Sequence, residues 1–96
     1  MSTPVFPLLI KRDYAYQILH GEKTSEIRKW RNCLNVRPGM LLSLHWMSSE
    51  RVEVPISDVH RWANVREAFR YMNFKRAVPY AEELEEALVP FTNNSD

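Results

Sequence analysis

The chain has 96 residues, which fits one small domain and no more. Hydrophobic residues make up 45% and charged residues 26%, ordinary values for a globular protein, so disorder is not the default reading. Thirteen Lys and Arg against twelve Asp and Glu leave a formal net charge of +1, a balance that by itself says nothing about nucleic acid.

Residues 5–10 are apolar and carry Pro7. They read as a short strand at a sheet edge, because proline cannot donate to a ladder. Residues 13–20 read as a helix, with Tyr14 and Ile18, and Ala15 and Leu19, four apart on one apolar stripe. Gly21 is placed to end it, since glycine takes the left-handed cap conformation cheaply. Residues 25–31 read as a strand and residues 32–39 as a loop, with Arg37-Pro38-Gly39 supplying a tight turn. Residues 40–46 form a second apolar run of strand length, and residues 47–50 a turn. Residues 51–59 alternate, with Val52, Val54 and Ile56 on one face and Arg51, Glu53 and Ser57 on the other; Pro55 marks a bulge or an edge.

Asn64 followed three residues later by Glu67 is a capping-box pattern, and Val65, Ala68, Phe69 and Met72 continue it as a helical stripe. Pro79 precedes another expected helix over residues 80–88, with Ala81, Leu84 and Leu88 facing in and four glutamates facing out. Residues 1–4 and 92–96 are expected to fray. The order strand, helix, three strands, two helices predicts an α+β fold in one domain. Its antiparallel sheet would curl towards a barrel, with about three helices packed at its ends.

Charge is unevenly placed. All 13 basic residues lie at or before Arg76, and only seven acidic ones do, so residues 1–76 carry +6. The five acids beyond, Glu82, Glu83, Glu85, Glu86 and Asp96, give that end −5. A basic body can thus hide behind a neutral average, although two solvated faces would look the same.

The segment Gly21-Glu22-Lys23-Thr24-Ser25-Glu26-Ile27-Arg28 concentrates chemistry. On a strand, Glu26, Arg28 and Trp30 would share one face, with Lys23 at its mouth. A glutamate accepts from a base amino group, arginine and lysine bind phosphate, and tryptophan stacks a base. The plain alternative is an ion pair on a solvated strand face with Trp30 in the core. Arg28-Lys29-Trp30-Arg31 interleaves cations with an aromatic, which suits a phosphate-tracking groove or a basic strand edge that discourages aggregation. His60-Arg61-Trp62 offers a further cation and indole. His20, His45 and His60 lack metal-ligand spacing, so neither a metal nor a cofactor is expected. The single cysteine, Cys33, rules out an internal disulfide and favours a reducing compartment. Met1-Ser2-Thr3-Pro4 has no basic region or long apolar run, and no stretch approaches the roughly 20 apolar residues of a membrane span. The expected location is intracellular, cytoplasmic or nuclear, with no membrane partner.

The pattern Gly21-x-Lys23-x-x-Glu26-x-Arg28, following a strand and a helix, resembles the signature of ASCH domains in the PUA-like superfamily. Val36-Arg37-Pro38-Gly39 resembles the turn before that family's next barrel strand. Residues 59–62 followed by 65–69 resemble its strand-to-helix passage, and residues 74–88 its proline followed by an acidic helix. The resemblance covers roughly residues 5 to 90 and implies a PUA-like β-barrel with a cleft beside the motif strand, binding RNA or a nucleotide. Lys23, Glu26, Arg28, Lys29, Trp30, Arg31, Arg61 and Trp62 are the binding candidates.

Some members of the family are enzymes on RNA or modified nucleosides, amidohydrolases or ribonucleases. One group hydrolyses the acetyl amide of N4-acetylcytidine with a Lys, a Thr and a Glu. Lys23 matches that lysine; Glu26 stands where the threonine would, and no second acid matches. Were the chain an enzyme, Lys23 and Glu26 would be its catalytic candidates. Met40 stands where the family has an acid after the turn glycine. Many members also have a closing strand after the acidic helix, where this chain has only Val89-Pro90-Phe91 before its polar end. The barrel is then expected to be open or completed by a second copy or another protein, since an unclosed sheet edge is a template for pairing.

Overall fold

The structure, a computed structural model, describes residues 3–47 and 50–92, the side chain of Thr92 excepted. Contacts divide the chain into two compact units. The first holds the described part of Met1–Tyr16 with Arg28–Arg61, the second Gln17–Ile27 with the described part of Trp62–Asp96.

The first unit is built on a three-stranded sheet in the order β1 (Val5–Leu9), β2 (Leu41–His45), β3 (Arg51–Pro55). Three of the four expected strands form, and proline sits in both edge strands, at Pro7 and Pro55. Phe6, Leu8, Leu42, Leu44, Val52 and Val54 fall on one face by register, with Leu8 beside Leu44 and Leu44 opposite Val52. Leu8 and Leu44 are buried. The other face carries Ser43 and His45, joined by a 3.1 Å hydrogen bond between Ser43 Oγ and His45 Nε2.

One expectation is corrected here. β1 and β2 run parallel, not antiparallel. The long connection between them, which contains a helix, returns the chain to the same end of the sheet, whereas the short link from β2 to β3 gives an antiparallel pair. The sheet is unclosed, in line with the open alternative expected from the sequence: among the described residues it has three strands, and no barrel closes. Where the Arg37-Pro38-Gly39 turn was expected, Gly39 has φ +90° and Met40 N–H donates to Arg37 O at 3.3 Å, leading into β2. In the turn after β2, Glu50 N–H donates to Met47 O at 3.2 Å; Ser48 and Ser49 lie outside the described residues.

The strand expected over residues 25–31 does not form. Thr24 and Ser25 N–H both donate to Arg76 O, at 2.8 and 2.9 Å, and Ser25 O accepts from Lys23. With backbone groups so committed there is no ladder to join. Trp30–Asn32 instead makes one 3-10 turn behind Lys29. Glu26, Arg28 and Trp30 therefore do not share a strand face.

Helix α1 (Arg12–Leu19) runs from the first unit into the second. Ala15 is buried, while Leu19, expected on the apolar stripe, is exposed. Gly21 closes the helix at φ +77°. Its N–H donates to Ile18 O, and Glu22 N–H reaches back to Gln17 O, the paired bonds of a Schellman cap.

The second unit packs α2 (Val65–Tyr71), a 3-10 turn at Phe74–Arg76 and α3 (Leu84–Thr92). Asn64 Oδ1 caps α2 by accepting from Glu67 N–H at 2.8 Å, and Glu67 reaches back to Ala63 N–H at 2.9 Å. α3 repeats the device: the Glu86 carboxylate accepts from Glu82 N–H at 2.8 Å. That bond helps start α3 at Leu84, not at residue 80 as the sequence suggested, and the helix takes in Val89, Pro90 and Phe91. Phe69, Ala77, Val78, Ala81, Ala87 and Leu88 form the buried core of this unit. Phe69 meets Phe74 and Phe91 edge-on at 6.3 and 6.2 Å. Among the described residues the fold is α+β, with three α-helices and a three-stranded sheet. Among the described residues no helix is long and apolar enough to cross a membrane.

Candidate functional site

The Schellman cap that ends α1 sets the position of Lys23. Gln17 O accepts Lys23 N–H at 3.1 Å as well as Glu22 N–H, so the chain turns sharply before the lysine side chain leaves it. Lys23 is 4% exposed. Its Nζ donates to Ser25 O at 2.8 Å and to Ala77 O at 2.5 Å, and lies 3.1 Å from Glu26 Oε1. An ammonium has three N–H donors, and these oxygens are among the acceptors that meet them. A buried cation is tolerated only when paired and hydrogen-bonded in this way. The bond to Ala77 O joins two segments 54 residues apart. Arg76 Nε, donating to Thr24 Oγ1 at 3.1 Å, fastens the same two segments again.

Beyond Ile27 the motif enters the first unit. Arg28 is exposed, and its guanidinium donates to Leu9 O at 2.8 Å, at the end of β1. Lys29 is half-buried and stands before the 3-10 turn, with φ −63° and ψ 134°. Trp30 opens that turn half-buried, and Arg31 follows it exposed. Arg61, exposed, places its guanidinium carbon 4.7 Å from the centre of the Trp30 ring, a cation–π contact. Cys33 and Asn32 close the turn, donating to Trp30 O and Lys29 O.

Trp62 belongs to the second unit. Its ring stacks on Tyr71, centroids 4.7 Å apart and planes within 5°. Of the residues singled out from the sequence, then, the structure brings Lys23 to Glu26 and Arg61 to Trp30. It sets Arg28 on the β1 backbone and Trp62 on Tyr71. Tyr71, Arg76 and the carbonyl of Ala77 carry these contacts and were not singled out. A carbonyl leaves no trace in a sequence pattern, and Trp62 lies outside α2, so no helical spacing links it to Tyr71. Among the described residues no three His, Cys, Asp or Glu gather as metal ligands would.

The model of the ASCH domain family matches residues 8–92, nearly the whole chain and parts of both units. Comparison with curated proteins and with solved structures finds no match.

Proposed function

Because the chain belongs to the ASCH domain family, we propose that it is an RNA- or nucleotide-binding module whose contact surface centres on Trp30 and Arg61. The carrying observation is the Arg61 guanidinium lying over the Trp30 ring at 4.7 Å. A guanidinium resting over an indole offers a plane on which an unpaired base can stack, while keeping its charge for phosphate. Arg28, Lys29 and Arg31 flank Trp30 along the chain and supply the charge a nucleic-acid backbone selects for. Lys23 and Glu26 take a different part: Lys23, buried and bonded to Ser25 O and Ala77 O, pairs with the half-buried Glu26, and together they fix the loop that leads into this segment. Trp62 offers a second aromatic surface, in the other unit.

The test is titration of a labelled short single-stranded RNA at several salt concentrations. Affinity is expected to fall with salt by about 0.7 log units per log unit for each phosphate contact. Arg28→Ala and Arg61→Ala are each expected to weaken binding severalfold. No binding by the wild type at low salt, or binding indifferent to both substitutions, overturns the proposal.

The unclosed sheet supports a second reading, in which a PUA-like barrel is completed in trans by a strand added to β1 or β3 from a second copy or another protein. Each of these strands pairs on one side only among the described residues. Light scattering at several concentrations would show a dimer; a strict monomer that captures no partner overturns this reading.

A further inference from the structure

Trp62 and Tyr71 bracket α2, one two residues before its cap and the other its last residue. Their rings lie parallel, within 5°. Three other aromatic pairs meet edge-on: Tyr16 with Trp46 at 77°, Phe69 with Phe74 at 63°, Phe69 with Phe91 at 68°. Edge-to-face contact fills volume in a core, whereas parallel stacking leaves an outer face to which another ring can be added. Tyr71 is 68% exposed, more than any other aromatic residue described, and Trp62 is 37% exposed. With one face of Tyr71 covered by Trp62, exposure of that size puts its other face in water. The chain around it is cationic. Arg70, Lys75 and Arg76 are exposed, and no acidic residue lies between Glu67 and Glu82.

We propose that the outer face of Tyr71 is a landing surface for one unpaired nucleobase, which extends the Trp62–Tyr71 stack, with the phosphates beside that base drawn by Arg70, Lys75 and Arg76. This rests on the nucleic-acid reading above and adds a base-stacking site in the second unit. An aromatic face accepts any base, so the site contributes affinity without sequence preference. Trp62 holds the tyrosine ring in advance, and the ring has two side-chain torsions to fix, so little entropy is lost on binding. An apolar peptide segment would gain nothing from the surrounding cations; a flexible anionic strand of planar bases uses both features.

The experiment compares two single strands with equal numbers of phosphates, one carrying bases and one abasic. Wild-type protein is expected to bind the base-bearing strand about tenfold more tightly, the order of ratio that one stacked base supplies. Tyr71→Ala is expected to lower that preference severalfold, leaving what the Arg61 face supplies, while affinity for the abasic strand stays unchanged. Tyr71→Phe, which keeps the ring, is expected to retain it. Thermal melts of both variants show whether the fold is intact, and Tyr71→Leu separates loss of the ring from loss of bulk. Equal wild-type affinity for the two strands, or undiminished preference in Tyr71→Ala, overturns the proposal; the first outcome also removes the stacking role of Arg61, and the second leaves that role standing. Failure of wild-type protein to bind either strand overturns the nucleic-acid reading, and this site with it. Capture of an apolar peptide that Tyr71→Ala abolishes, without a preference for bases, assigns the surface to protein.

Discussion

Replacing Lys23 with alanine leaves Ser25 O, Ala77 O and Glu26 Oε1 without their shared cation in a site that is 4% exposed. Breaking a buried pair by removing one partner costs about 3 kcal/mol, because the remaining acceptors stay desolvated. Lys23→Ala is therefore expected to lower the melting temperature sharply, and a chemical-denaturation midpoint near wild type would refute the anchoring role. Arg61→Ala, at an exposed position, is expected to leave the midpoint almost unchanged while weakening RNA binding. The two variants thus separate a lysine that shapes the loop from an arginine that meets the ligand. Trp30 belongs with Arg61: without the indole the guanidinium loses the surface that orients it.

At the scale of elements, caps decide where the helices stop and start. Gly21 has φ +77°, and a Cβ built on it meets nothing within 4 Å. The cost of Gly21→Ala is then backbone strain alone, about 1 kcal/mol, and circular-dichroism melts are expected to show that loss with no change in core packing. Asn64→Ala removes the acceptor for Glu67 N–H and is likewise expected to cost about 1 kcal/mol. Both caps were legible from Gly21 and from the Asn64–Glu67 spacing, since the bonds involved span only a few residues. The start of α3 was not. Four glutamates in five positions fit a helix beginning at residue 80 or at residue 84 equally well, and the carboxylate of Glu86 bonding Glu82 N–H favours the later one.

Across the whole molecule, charge is the property with a direct solution consequence. The +6 of residues 1–76 is offset by the acids beyond them, and in the second unit part of that compensation is a contact: Arg66 and Glu85 form an exposed two-point ion pair at 3.0 and 3.4 Å. The hydrogen bond from Glu85, and then its charge, raise the Arg66 guanidinium above its ordinary range. A raised basic group contributes its stability in full below its unfolded pKa and loses it as pH climbs through the folded one. That window lies in strong alkali, so no pH dependence from Arg66 is expected near neutrality. Glu85→Gln should leave the melting temperature almost unmoved at physiological salt, since exposed pairs are screened. A large drop would mean that the pair pins α2 to α3.

The sequence by itself determined the elements that depend on neighbours along the chain: β1 with its edge proline, the glycine end of α1, the alternation of β3, the capping box of α2, and the motif that places the chain among ASCH domains. Local hydrogen bonds and side-chain periodicity set these, and both are written in residue order. Only the tertiary structure decided the parallel pairing of β1 with β2, the loss of the strand expected over residues 25–31, and the burial of Lys23. Each of these turns on a partner far away in the chain. Arg76 O takes the N–H groups of Thr24 and Ser25, and Ala77 O takes a proton of Lys23. Backbone carbonyls look alike at every position, so no pattern of side chains announces which of them a distant segment will use.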